Sequence, residues 1–120
     1  MSGYPTEIIL HQQSRLLEIT FDDSVCYKMP YEFLRVHSPS AEVMGHSPGQ
    51  ETLQTGKKNV GVVEVLPVGS YALKIVFDDG HDSGLYTWEY LYDLGKHQAG
   101  LWQGYLERLS AAGKSREPDH

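Results

Sequence analysis

The sequence predicts an α+β fold: a mostly antiparallel sheet with two or three flanking helices and a long irregular loop over residues 37–58. Three observations carry this. Apolar residues recur at every second position at Leu17, Ile19 and Phe21, and again at Leu73, Ile75 and Phe77; that is the period of a half-buried strand. Each run ends in an acidic turn, Asp22-Asp23-Ser24 or Asp78-Asp79-Gly80. Near the C-terminus the period becomes helical, with Leu101, Trp102, Tyr105, Leu106 and Leu109 on one stripe.

Taken in order, residues 6–11 read as a short strand, and Gln12-Gln13-Ser14 as a polar turn. Leu16 to Phe21 is the second strand, and Val25 to Met29 resumes as its hairpin partner. Pro30 suits the first position of a helix, because its φ is already fixed there. Tyr31 to Val36 then makes one or two turns, with Phe33 and Leu34 inward. From His37 to Lys58 the pattern stops among Pro39, Gly45, Pro48, Gly49 and Gly56. Loops of that length in small domains are usually functional or disordered. Asn59 to Val65 is β-rich, Pro67 and Gly69 mark a turn, and Tyr71 to Phe77 is another strand. Trp88, Leu91 and Tyr92 fall at helical spacing, with Gly95 read as the C-cap. The domain is expected to span residues 1–112, with a polar tail over 113–120 that frays.

Two stretches echo each other. Leu17-Glu18-Ile19-Thr20-Phe21-Asp22-Asp23 matches Leu73-Lys74-Ile75-Val76-Phe77-Asp78-Asp79 at an offset of 56, and Glu32-Phe33-Leu34 matches Glu89-Tyr90-Leu91 at 57. A structural repeat is one reading. Coincidence is the other, because apolar alternation alone forces some similarity.

Composition narrows the function. The chain has 120 residues, 22% of them charged, and a net charge of −6 at neutral pH. The basic residues are scattered, so neither nucleic acid nor a membrane surface is an expected partner. No apolar run reaches the roughly 18 residues of a membrane span. The N-terminus lacks the basic start and apolar core of a secretory signal. Cys26 is the only cysteine, which excludes an internal disulfide, and a cytoplasmic location is expected.

Candidate chemistry is sparse. His37, His46, His81 and Asp82 lie in loops and could ligate zinc or another divalent metal, although solvated loop histidines explain them more simply. Residues 43–49 lack the Lys-Ser/Thr of a phosphate loop. The acidic turns lack the ligand register of a calcium loop. No nucleophile elbow and no paired acid and base stand out, so catalysis is not expected. Tyr86, Trp88, Tyr90 and Tyr92 alternate at a loop-to-helix junction. They cannot all face inward, and exposed aromatics mark binding surfaces; simple core packing is the competing reading. The candidate binding residues are Arg35, His37, Tyr86 and Trp88, for a protein partner or an oligomer. No cofactor is expected; the alternative is a metal at His81 with His37, His46 or Asp82.

Three segments together resemble a known family: Leu17 to Asp23, Tyr31-Glu32-Phe33-Leu34-Arg35-Val36-His37-Ser38-Pro39-Ser40-Ala41-Glu42-Val43, and Ile75 to Leu91 around Gly80-His81-Asp82-Ser83. The chain resembles the gamma-butyrobetaine hydroxylase-like N-terminal domains. The resemblance implies a domain that stands alone in bacteria or precedes the catalytic domain of iron- and 2-oxoglutarate-dependent carnitine-biosynthesis hydroxylases. It also implies a structural zinc held by three cysteines and one histidine. At the three cysteine positions this chain has Ser38, Ser40 and Val43, and only His81 matches a ligand. An accessory module with a degenerate zinc site is therefore expected.

Overall fold

The structure is a computed structural model that describes residues 3–45 and 51–118. Strands β1 (Pro5–His11), β2 (Leu16–Phe21) and β3 (Cys26–Pro30) form an antiparallel sheet in that order, followed by α1 (Tyr31–Val36) and the single turn α2 (Ala41–Met44). Strands β4 (Val62–Val68), β5 (Ala72–Phe77) and β6 (Leu85–Thr87) form a second sheet, followed by α3 (Trp88–Lys96) and α4 (Gln98–Ala112). The α+β class with antiparallel strands stands. The strands divide into two three-stranded sheets instead of one.

The alternation in the sequence becomes the core. Leu17, Ile19 and Phe21 of β2 and Leu73, Ile75 and Phe77 of β5 are all buried and join one cluster with Met29, Phe33, Leu34, Tyr86 and Leu91. Each such side chain contributes about 1.5–3 kcal/mol when removed from water. Neither sheet can bury its apolar face without the other half.

The echo is structural. In β1, Pro5, Glu7, Ile8, Ile9, Leu10 and His11 find partners on β2; Val62, Glu64, Val65, Leu66, Pro67 and Val68, each 57 further on, find the equivalent partners on β5. Both ladders shift register at the same step, between Pro5 and Glu7 and between Val62 and Glu64. The acidic turns match as well. Ser24 (φ 70°) and Gly80 (φ 89°) both occupy the left-handed region. Asp23 Oδ1 accepts from the Val25 amide at 3.0 Å, and Asp79 Oδ1 accepts from the His81 amide at 3.1 Å, the local bond that suits Asp to turns. The halves also exchange contacts. Arg35 and Tyr92, again 57 apart, each reach the other half's turn: Arg35 Nε donates to Asp79 Oδ2 at 2.9 Å and Tyr92 OH donates to Asp23 Oδ2 at 2.8 Å.

Several boundaries differ from the sequence reading. Pro30 is the N-cap of α1, one position before the helix. Pro67 lies inside β4, which tolerates it because β4 is an edge strand. Gly95 does not cap α3 but lies within it. A methyl group built there would fall 2.3 Å from the Tyr27 ring, so glycine is required by close packing. The tail expected to fray is held as far as residue 116. Gly56 and Lys58 donate their amides to the carbonyls of Ser115 and Arg116, each at 3.0 Å. The Arg116 guanidinium grips Glu32 at 2.7 and 2.8 Å and lies over the Trp102 ring. No helix among the described residues is long and apolar enough to cross a membrane.

Candidate functional site

Ser38, Ser40, Glu42, His81 and Ser83 close into a ring of hydrogen bonds. The Glu42 carboxylate can only accept, so His81 Nδ1, 3.1 Å away, carries the ring hydrogen. Burial and the Arg35 guanidinium lower the His81 pKa, outweighing Glu42 and Asp79. In the neutral ring Nε2 accepts the Ser38 hydroxyl at 2.8 Å. Ser38 Oγ in turn accepts the Ser40 amide at 3.2 Å. Ser83 donates to Glu42 Oε1 at 3.2 Å and accepts from the Ser40 hydroxyl at 2.7 Å. The ring closes where Ser40, the N-cap of α2, accepts the Glu42 amide at 3.2 Å. Gly84 makes room for it, since a methyl there would lie 2.4 Å from Ser38 Oγ.

Beside this ring sits the Asp79 carboxylate. Burial pushes its pKa up, but the Lys57 ammonium, the His81 amide and Arg35 outweigh that and hold it at about 2. Arg35 Nη1 also donates to Gln54 at 2.9 Å. Together with Tyr105, whose hydroxyl donates to the Gln54 carbonyl at 2.7 Å, it ties Gln54 to helices α1 and α4.

His37 stands apart from His81. Its Nδ1 donates to the Phe33 carbonyl at 2.9 Å, and its ring packs against the Phe33 ring at a tilt of 46°. Burial lowers its pKa, so the ring is neutral and Nε2 is a bare acceptor. That atom is buried and has no hydrogen-bond partner among the described residues. His37 lines a cleft of about 650 Å³ between residues 36–44 and 51–54 on one side and helices α3 and α4 on the other.

The remaining sequence candidates scatter. Tyr86, a candidate binding residue, is fully buried; burial pushes its hydroxyl pKa up, and it donates to the Leu34 carbonyl. Trp88 is half-buried, with Nε1 donating to the Ser70 carbonyl at 2.8 Å. Arg35 is buried in its ion pair. Asp82 faces Lys74 at 3.8 Å. His46 lies outside the described residues. Core packing and turn contacts therefore account for the aromatic run. Among the described residues, no three of His, Cys, Asp or Glu come together as metal ligands.

One surface was missed by the sequence reading. Across the outer face of the second sheet, Leu66, Lys74 and Leu85 stand in one row. Val68 and Val76 lie on the same face, and Leu66 and Leu85 are each 41% exposed. None of these four apolar residues joins the core. The equivalent row of the first sheet is Ile9, Glu18 and Lys28, and Glu18 there is satisfied by His11 at 2.8 Å. The signal was available in the repeat: laid over one another, the halves put Leu85 where the first has Lys28 and Val76 where it has Thr20.

The comparisons with known proteins agree with this architecture. The model of the family described as gamma-butyrobetaine hydroxylase-like, N-terminal, matches residues 8–92, and the chain belongs to that family. Two solved structures, each described as the NMR solution structure of the protein, are similar along nearly the whole chain. One is 54% identical with a TM-score of 0.86, covering 100% of this chain and 94% of that one. The other is 53% identical with a TM-score of 0.83, covering 97% and 86%. A crystal structure from Acidithiobacillus ferrooxidans, of a protein with unknown function in the DUF971 family, is 40% identical over 78% of this chain and 93% of that one, with a TM-score of 0.65. No curated protein matches.

The zinc that the family resemblance implies does not fit the residues present. Serine hydroxyls are poor zinc ligands, and valine has no donor atom. Both ring nitrogens of His81 are already engaged, by Ser38 and Glu42. At two of the positions where the resemblance implies thiolates, Ser38 and Ser40, the side chains belong to a ring of hydrogen bonds instead.

Proposed function

We propose that this chain is a non-catalytic accessory module that docks a partner protein on the outer face of its second sheet. The observation that carries the reading is the asymmetry between two otherwise matching halves. The same backbone register presents Ile9, Glu18 and Lys28 on one sheet and Leu66, Lys74 and Leu85 on the other. The fold itself therefore does not demand an exposed leucine at position 85. Apolar groups gathered on one face are how protein interfaces are built at their centres. Lys74 stands among them, 3.8 Å from the half-exposed Asp82 carboxylate. A partner that presents an apolar patch with a carboxylate facing Lys74 complements this face.

The reading as a module without chemistry of its own also has support in the Ser38–His81–Glu42 chain. Its polarity is that of a nucleophile, base and acid. Yet Ser38 is 0% exposed, so no substrate reaches its hydroxyl.

The test uses a photo-crosslinking amino acid placed at Leu66 or, as an internal control, at Ile9, in the cells that make the protein. Crosslinks to one defined protein are expected from position 66 and not from position 9. They should disappear on adding Leu85→Glu, while the melting temperature changes little. Equal crosslinking from both faces, or none from position 66, rules the reading out.

A further inference from the structure

We infer that Glu32 and Trp102 form a recognition site for an arginine-bearing segment of a partner protein, a site this chain fills with its own Arg116. The site shares no residue with the sheet face and stands or falls independently of it. Glu32 is a carboxylate on α1 that is only 7% exposed. Its two oxygens accept from Arg116 Nε at 2.8 Å and Nη2 at 2.7 Å, a parallel fork that an ammonium cannot reproduce. The centroid of the Trp102 ring on α4 lies 5.2 Å from the guanidinium carbon, and its π face attracts the cation.

The walls of the site belong to the core, and its occupant does not. Phe33, next to Glu32 on α1, is buried and packs against Trp102 at 6.4 Å between ring centroids. Trp102 packs in turn on the buried Tyr105 at 5.2 Å. Arg116 arrives on a strap that starts at Gly113, which ends α4 in the left-handed region at φ 65°. Lys114, Ser115 and Glu117 of the strap are exposed. The amides of Gly56 and Lys58 donate to the Ser115 and Arg116 carbonyls, each at 3.0 Å. The Lys58–Glu117 ion pair at 2.9 Å is exposed on both sides, where such pairs contribute little.

Lifting the strap therefore breaks mainly the Glu32 pair, and a guanidinium that enters restores it. A carboxylate this buried is costly when left alone, so the open site selects a replacement of the same chemistry. The Gly56 and Lys58 amides, released with the strap, offer an extended backbone the same two bonds. That feature favours a peptide segment over a free guanidinium compound. A cleft of about 620 Å³, bordered by Pro30, Glu32, Phe33, Gln98 and Trp102, adjoins the site and takes the residues flanking the arginine. The tethered strap competes at an effective concentration on the order of millimolar, a level that a partner with further contacts overcomes.

The first measurement uses the intact chain. Amide hydrogen exchange at Gly56 and Lys58 reports the opening of the strap. These two amides are expected to exchange at least about a hundredfold faster than those of the central strand β2, as local opening does relative to global unfolding. Ethylguanidinium at about 20 mM, above the strap's effective concentration, should speed them severalfold, and ethylammonium should not. The second measurement adds the strap's own sequence, residues 114–118, as a peptide to the Arg116→Ala chain. The peptide is expected to shift the Trp102 indole signal. It should bind at least about tenfold more tightly than the same peptide carrying R116K, which loses the fork, and than ethylguanidinium, which lacks the backbone bonds. The inference is overturned if Gly56 and Lys58 exchange no faster than β2, if ethylguanidinium and ethylammonium act on them alike, or if the R116K peptide binds as tightly as the parent peptide. Equal binding of the peptide and ethylguanidinium would overturn it in favour of a free guanidinium ligand. The exchange measurement decides the matter even where Arg116→Ala fails to fold.

Discussion

His37 and His81 are both kept neutral by burial, yet they spend their nitrogens differently. His81 is satisfied on both sides, by Ser38 and Glu42, whereas His37 leaves Nε2 open. Both folded-state pKa values lie below the ordinary 6.5. The unfolded chain therefore takes up protons first as the pH drops. The stability these residues contribute is complete above pH 6.5 and falls as the pH moves down toward their folded-state values. Asp79 adds a second window: held at about 2 against 3.8, it supports the fold above pH 3.8 and loses that support between 3.8 and 2. Chemical denaturation across pH 8 to 2 should show a loss beginning near 6.5. Replacing His37 and His81 by Gln should flatten the upper step and leave the lower one; an unchanged upper step would show that burial does not hold the rings neutral. At this scale the sequence was only partly legible. His37 and His81 were singled out from their loop positions and Arg35 as a candidate binding residue, but the tautomers depend on carbonyl and carboxylate partners that only the folded chain brings within reach. Tyr86 was misplaced because a period of two at a strand-to-helix junction does not say which face is inside.

Among the elements, strands were legible and short pieces were not. The β2 and β5 alternation placed six core residues correctly, because one buried face imposes a period of two. The three-residue β6 and the four-residue α2 are too short for any period to develop. Gly95 shows the same limit: a glycine near a helix end reads as a cap, and only packing reveals that α3 lies against Tyr27 there. Gly95→Ala should therefore destabilise the protein by about 1–3 kcal/mol through overpacking, despite the better helix propensity of alanine. Thermal melts read this directly, and Gly100→Ala, where nothing lies within 4 Å of the added methyl, should be neutral or stabilising. A stabilised Gly95→Ala would mean that α3 and β3 are less tightly apposed.

For the whole molecule, the two matching halves share one core and reach across to each other's acidic turns, so neither is expected to persist alone. Within this frame the connection from α1 to α2 is fixed to the His81 turn by the Ser38, Ser40, Glu42, His81 and Ser83 ring, in a family whose resemblance implies an ion at that place. The account depends on that fixation needing no metal. The most direct measurement is the metal content of untagged, natively purified protein together with its melting temperature in the presence and absence of a strong chelator. The expected result is substoichiometric metal and a melting temperature the chelator does not move. One bound zinc per chain, with a melting temperature that falls on its removal, would contradict it.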